Sequence, residues 1–569
     1  MTMTPPTNGA RRPVPAAAAE RAAAAATRAA PDWDLVRKRN NVEKLKFEKH
    51  PIRLIDELVQ LGEMDYVEIT EEDMVRFQWY GLYHDKPKVG YMMMRIRVPG
   101  GILQPEQLRV IGELSERYGR GYSELTTRQT VQLHWLQIKD LPEIFAALSS
   151  VGLTSKGGCG DTVRNTTGCP VSGLDPNELF DCRDEMQALV RYFTDHDEYL
   201  DLPRKHKITI ATCADQCNAP EINCISFVGV KQASPDGDRL GYAVRVGGGL
   251  SSTPRISRDL GVFVPRGQAQ EVARAILDVW RHDLKYRISR AKARLKFLVD
   301  DYGVEGVRTA VEEKLGRKLD NLTATVPDGV RVDHIGVHAQ KQDGQVYLGV
   351  PVFAGQVTNV QLGQIADLAA SYGGDVRLTR QQNFIMTNVP EARVDEITAK
   401  LTEIGFNLDA HRLRGASIAC TGQPLCNFAV AETKSKMKEI VERLETRFGK
   451  EVETLAVGVD GCPHACAHHW IADIGLQGTT GRGDGTTKLE AYEIYLRGGL
   501  GTDATIGRPL LRRVPAGEAT NVVEKLVEGW LDRRTDGETF QQFTRRASDE
   551  ELIALAGELV PATSGSRRA

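Results

Sequence analysis

A chain of 569 residues, 41% hydrophobic and 26% charged, is long enough for three or four domains with substantial cores. Its formal net charge of −3 gives no general attraction to nucleic acid, and no run of eighteen apolar residues offers a membrane span. Ten cysteines in a chain this large fit a reducing compartment better than a disulfide framework, so the cytoplasm is the expected location.

Residues 1–32 are rich in Ala, Pro and Arg, lack the continuous apolar segment of a secretory signal, and read as a disordered tail. YMMMRIRVPGG, from Tyr91, has the pattern of a strand, and LQPEQLRVIGELSERYG that of an amphipathic helix. LTTRQTVQLHW follows as a second strand, with Arg128, Gln132 and His134 at alternating positions. Alternation in LPRKHKITI places Lys205 and Lys207 on one face of another strand. The glycines of VGGGLSSTP, from Val246, match neither GxGxxG nor a Walker motif and point to close backbone approach instead of a nucleotide site. KYRISRAKARLKFL, from Lys285 to Leu298, brings Ile288, Ala291, Leu295 and Leu298 to one side at helical spacing, which predicts an amphipathic helix with a solvated basic face.

The second half repeats the first. LTRQQNFIM, with Thr379, Arg380 and Gln381, returns the pattern of Thr127, Arg128 and Gln129; RGGLGTDA, from Arg497, returns that of VGGGLSSTP; Cys462 and Cys466 return the spacing of Cys213 and Cys217. QVYLGVPVFAG and NVQLGQIADLAASYGG repeat the strand and helix. A unit of about 250 residues is therefore duplicated, with the rhythm of an α+β sandwich.

Cys420 and Cys426 in ACTGQPLCNFA, with Cys462 and Cys466 in GCPHACAHHW, form two close pairs. Four thiolates so spaced can hold one iron–sulfur cluster or one zinc ion; buried structural thiols are the alternative. Zinc knuckles favour tighter spacings, and a cubane accepts unequal ones, so a cluster is expected. In the first half, Cys159 and Cys169 stand too far apart to complete a matching set with Cys213 and Cys217, and Cys182 and Cys224 read as ordinary buried thiols.

Cys-x5-Cys followed by Cys-x3-Cys, with Gly461 before and Pro463 inside the second pair, resembles the signature of the siroheme and [4Fe-4S] sulfite and nitrite reductase family. The likeness runs from about Trp79 to the region of Phe543. It implies an internally duplicated, pseudo-twofold, three-domain molecule with its cofactors between the halves. The implied division is 33–150, an N-terminal segment and first ferredoxin-like half-domain; 151–332, the substrate-side repeat; 333–408, the second half-domain; 409–560, the repeat carrying the [4Fe-4S] cluster; and 561–569, a closing tail. Cys420, Cys426, Cys462 and Cys466 would be the cluster ligands, with Cys466 also touching the siroheme iron. Arg95, Arg164, Lys205 and Lys207 match the four cations that ring the substrate in sulfite reductases. Arg128, Gln132 and His134 match a segment used against the siroheme. Tyr83 and Cys159 match a pair that is covalently joined in some bacterial members.

No flavin or pyridine-nucleotide segment is visible in the sequence, so electrons are expected from ferredoxin, with a separate flavoprotein as the alternative donor. The implied reaction is six-electron reduction of a small anion. Lys207 favours sulfite, because plant-type nitrite reductases carry Asn there. RNTTGCPVSGLDP, from Arg164, is similar to a nitrite reductase segment and keeps assimilatory reduction of nitrite to ammonia as the alternative. A cluster protein that only carries electrons is a further reading, but it would need no ring of four cations around an open iron.

Overall fold

The computed structural model describes residues 31–327, 329, 333–482 and 488–557. Most of the tail expected over 1–32 and all of that over 561–569 lie outside the described residues. Asp32, assigned to the first tail, instead caps a helix over Trp33–Arg39 by accepting from the Leu35 amide. Short helices then lead to Gly81, whose left-handed backbone starts the first strand.

The first half-domain runs β1 (Leu82–His84), β2 (Met92–Ile96), β3 (Ile102–Leu103), α1 (Pro105–Tyr118), β4 (Tyr122–Leu125), β5 (Val131–Leu136) and α2 (Leu141–Ser150). Its counterpart comprises β12 (Gly336–Ala339), β13 (Gln345–Val350), β14 (Gln356–Thr358), α6 (Asn359–Ala370), β15 (Val376–Leu378), β16 (Phe384–Pro390) and α7 (Val394–Ile404). The two sheets exchange strands. One has the order β1-β2-β5-β4-β14 and the other β12-β13-β16-β15-β3, so each half lends a short strand to the other. Helices α1 and α6 pack where the halves meet, and Gly112 permits it, since a Cβ there would stand 3.2 Å from the Asn359 carbonyl. One continuous apolar core spans both sheets, from Leu54 to Leu408.

The first large repeat has β6 (Thr167–Gly168), α3 (Arg183–Asp195), β7 (Ile208–Ala211), β8 (Ile225–Gln232), β9 (Arg239–Val246), β10 (Arg258–Pro265), α4 (Ala269–His282), α5 (Leu295–Leu315) and β11 (Asp320–Asn321). The second has β17 (Ile418–Ala419), α8 (Lys434–Phe448), β18 (Val457–Asp460), β19 (Ile474–Arg482), β20 (Lys488–Leu496), β21 (Arg508–Pro515), α9 (Ala519–Arg533), α10 (Phe540–Arg546) and α11 (Asp549–Ala556). Each sheet pairs its first three strands in parallel and the next antiparallel, which bears out the duplication. The glycine runs mark close backbone approach, as expected. A Cβ on Gly248 would lie 2.4 Å from the Asn223 carbonyl, and one on Gly498 2.5 Å from that of Trp470.

Three local expectations are corrected. Residues 285–298 do not form one helix: two short 3-10 turns, Leu284–Arg287 and Arg290–Lys292, precede α5, and Arg287, Arg290, Arg294 and Lys296 turn inward to partners while Lys285 and Lys292 stay exposed. Arg287 pairs with Glu43 at 2.9 Å and Arg290 with Asp161 at 2.6 Å. Arg128 lies in the turn before β5, not in the strand. Lys205 and Lys207 precede β7, yet the chain is already extended: buried His206 pairs with Val163, and the two lysines project to the opposite side, as alternation requires.

Candidate active site between the two repeats

β17 and β18 are parallel neighbours, with Ile418 opposite Gly458 and Ala419 opposite Val459. The loops carrying Cys420–Cys426 and Cys462–Cys466 therefore leave the same end of one sheet. The Gly461 amide donates to the Cys420 sulfur at 3.3 Å, and Phe428 meets His464 edge-on at 5.0 Å between ring centroids, joining the two loops. Burial raises all four thiols, Cys462 to about 12, and the nearby Cys466 raises each of the other three further. Four thiols that oppose one another's ionisation fit a group that brings positive charge to all of them, and an iron–sulfur cluster does so. Cys466, though set deep among protein atoms, is the member of the four whose side chain stays most open to solvent.

Cys466 faces a pocket of cations supplied by the other repeat. Its charged form is favoured by Lys205, Lys207 and Arg95. Its carbonyl accepts from the Thr127 hydroxyl at 3.0 Å. Arg95, on β2, donates to the Cys159 sulfur at 2.8 Å and to Gln132 Oε1 at 2.6 Å. Arg164 is braced by the carbonyls of Gly158 and Gly160. Arg128 reaches across to the Asn165 and Ile208 carbonyls and to Asn223. Burial, Arg294 and Arg164 lower Lys205 to about 7; burial, Arg128 and Lys205 hold Lys207 well below the usual lysine value. Burial and neighbouring arginines lower Arg128 to about 9. Arg95, Arg128, Arg164, Lys205 and Lys207 have no carboxylate within ion-pair distance among the described residues. Crowded cations of this kind fit a polyanionic macrocycle and a small oxyanion, which would restore the charge that burial makes costly.

Two expected site residues have different surroundings. His134 lies in the core instead of on the pocket wall. Burial opposes its charge, but Asp85 at 2.8 Å and Glu124 at 3.7 Å override that and raise it to about 9. Gln132 stands between pocket and core, donating to Glu124 while accepting from Arg95. Tyr83, on β1, is placed near Cys159; burial first, and then that neighbour, raise its phenol. Cys169 Sγ stands 3.6 Å from Cys213 Sγ, while Cys159 accepts from Arg95.

Arg294 belongs to the run whose spacing predicts a solvated helix face, yet it is buried, donates to the Cys224 sulfur at 3.1 Å and adds to the field on Lys205 and Lys207. Cys224 is accordingly not an ordinary thiol: burial raises it, but Arg294 reverses this and lowers it below the usual value. Buried Asp161 holds Arg204 at 3.0 Å and Arg290 at 2.6 Å, fixing the loop between Cys159 and Arg164. A regular spacing of three or four in the basic run hid this inward role.

Comparison with known proteins agrees with this geometry. The model for the nitrite and sulphite reductase 4Fe-4S domain matches residues 159–319 and 413–556, and that for the nitrite/sulfite reductase ferredoxin-like half domain matches 84–151 and 338–404. The chain belongs to the nitrite and sulfite reductase family. The reductase is 34% identical to sulfite reductase [ferredoxin] 1 of Mycolicibacterium paratuberculosis over 90% of this chain and 96% of that one. It is 37% identical to ferredoxin–nitrite reductase of Synechococcus elongatus over 86% and 96% respectively. The solved structure of the Mycobacterium tuberculosis NirA protein superposes with a TM-score of 0.86 at 33% identity, covering 92% of this chain and 100% of that chain. The duplicated α+β architecture is thus that of the family, and the reductase is an oxidoreductase whose cofactors are siroheme and a [4Fe-4S] cluster. Among the described residues no helix is long and apolar enough to cross a membrane.

Proposed function

We propose that the reductase carries out the six-electron reduction of sulfite to sulfide, taking electrons from ferredoxin. The observation that carries this reading is Lys207, which stands beside Lys205 among cations that face Cys466. A pyramidal oxyanion with two charges gains more from a second lysine than nitrite does, each charge-assisted contact being worth roughly 1.5–3 kcal/mol. When bound, the siroheme and cluster supply the electrons and the open iron face for the reduction.

The chain's own residues do the rest. Arg95 and Arg164 orient the anion from guanidiniums that backbone carbonyls and Gln132 hold in place. Lys205, a cation facing Cys466, is placed to give a proton to the anion as oxygen leaves as water. Arg128 and Arg294 offset carboxylates of the macrocycle. Cys420, Cys426, Cys462 and Cys466 hold the cluster, and Cys466 borders the pocket.

Nitrite is the second reading, favoured by the segment from Arg164 to Pro176 and by identity of 35% to an assimilatory ferredoxin-dependent nitrite reductase of Haloferax mediterranei. Steady-state turnover of sulfite and of nitrite with reduced ferredoxin decides between them. A kcat/KM for sulfite above that for nitrite is expected, and the reverse order assigns the enzyme to nitrite.

A further inference from the structure

Arg95, Gln132 and Glu124 form a row across three adjacent strands. Arg95 on β2 is in register with Gln132 on β5, and Gln132 with Glu124 on β4, so their side chains share one face of the sheet. The row is hydrogen-bonded throughout. Gln132 Oε1 accepts from Arg95 Nε at 3.2 Å and Nη2 at 2.6 Å, and its Nε2 donates to Glu124 Oε2 at 3.2 Å. A guanidinium on one side and a carboxylate on the other leave the amide one sensible orientation.

The row does not end at the sheet. Thr421, next to Cys420 in the cluster loop of the other repeat, donates its hydroxyl to Glu124 Oε2 at 2.6 Å and accepts from Gln132 Nε2 at 3.2 Å. Tyr122 donates to Glu124 Oε1 at 2.7 Å, Lys434 Nζ stands 3.6 Å from that oxygen, and His134 Nε2 lies 3.7 Å from the other. Glu124 is 2% exposed, yet Lys434, His134 and Thr421 together outweigh burial and hold its carboxyl far below the usual range. A buried anion with this many fixed donors is a rigid anchor, and each of its oxygens is held from both halves of the chain, Oε1 by Tyr122 and Lys434 and Oε2 by Gln132 and Thr421.

We propose that Glu124 is a positioning residue that fixes the substrate cation Arg95 and the cluster loop at Thr421 against one another. The proposal rests on the family's reaction at this pocket, with either anion as substrate. Replacing the carboxylate by an amide turns one of its two acceptors into an NH2 donor and leaves the other uncharged, so either Tyr122 or the Gln132–Thr421 pair loses its acceptor and the hold on Arg95 and the Cys420 loop weakens. A shift at Arg95 weakens binding of the anion. A shift at Thr421 changes the polarity around the cluster and with it the reduction potential.

The test uses the holoenzyme and the isosteric variant Glu124→Gln, normalised to siroheme content. The expected result is a KM and a spectrally titrated Kd for the anion raised about tenfold, as loss of one charge-assisted contact gives, with a smaller change in kcat. The cluster midpoint potential, followed by EPR, is expected to rise, because a buried negative charge is removed nearby. Thr421→Val, which takes away one hydroxyl without altering charge, is expected to shift the EPR signal and raise the anion Kd by a smaller factor. It also serves if Glu124→Gln does not load its cofactors. Anion Kd and cluster potential both unchanged in whichever variant loads would overturn the proposal and leave Glu124 a purely structural ion. Wild-type enzyme that binds the anion but turns over neither sulfite nor nitrite would count against the functional reading alone, since Kd and potential still report on Glu124.

Discussion

Arg95 donates to the Cys159 sulfur at 2.8 Å, which holds that thiol at the pocket that Cys466 faces. Tyr83, one strand away on β1, is close enough to Cys159 for that residue, after burial, to help raise its phenol. A thioether between a Tyr83 ring carbon and the Cys159 sulfur is therefore expected in siroheme-loaded enzyme. Its formation removes one hydrogen from each residue and passes two electrons to an oxidant such as dioxygen. Peptide mass spectrometry is expected to find the pair joined and lighter by two hydrogens than its parts. Full recovery of separate, alkylatable peptides would refute the bond.

Cys466→Ser is expected to abolish the siroheme and cluster absorption bands together or to uncouple them, because Cys466 is at once one of the four cysteines of the two neighbouring loops and the one that borders the cations. Iron analysis and visible spectra of the purified variant measure this. Wild-type protein is expected to carry one siroheme and four cluster irons. Zinc in place of iron would contradict the assignment.

Lys207→Asn is expected to lower kcat/KM for sulfite by about ten- to a hundredfold and that for nitrite by less, one charge-assisted contact being worth roughly 1.5–3 kcal/mol. Parallel assays on both anions measure the difference. Equal losses would mean that Lys207 serves the macrocycle or proton delivery without discriminating between substrates.

The value of about 9 for His134, against 6.5 for a free histidine, ties its charge to stability. A raised value means that the folded protein binds the proton more tightly than the unfolded chain, so the stabilisation is complete below pH 6.5 and is lost as the pH rises through 9. His134→Gln breaks a buried ionic contact with Asp85 and Glu124 and is expected to lower stability by about 3 kcal/mol at pH 6. Denaturant unfolding of both proteins between pH 6 and pH 10 is expected to show that gap narrowing. A constant gap would mean that His134 is neutral in the fold.

Cys420, Cys426, Cys462 and Cys466 and the cations Arg95, Arg164, Lys205 and Lys207 could be singled out because each sits in a short motif whose spacing is set by its own loop or strand. Lys205 and Lys207 could be read from alternation even though the strand itself begins at Ile208. Arg294 could not, because helical periodicity in 285–298 describes three separate turns equally well and says nothing about Cys224, which comes from β8's approach. Glu124 and Thr421 were illegible for a related reason. Their contact joins residues from opposite halves of the chain, and no local pattern encodes such a pairing. The contact of His134 with Asp85 was illegible because alternation fixes which face of β5 it occupies but not what that stretch of the face meets.

The exchange of β3 and β14 between the half-domain sheets has a bearing on how the chain is made. The β4 edge stays unpaired until Gln356–Thr358 has left the ribosome, and β14 then covers it with Gln356 opposite Glu124 and Thr358 opposite Tyr122. Until that moment the nascent amino-terminal half presents an open strand edge, a template for pairing with the wrong chain. Contacts that distant in sequence also close slowly, so the molecule should mature as one late, cooperative event instead of half by half.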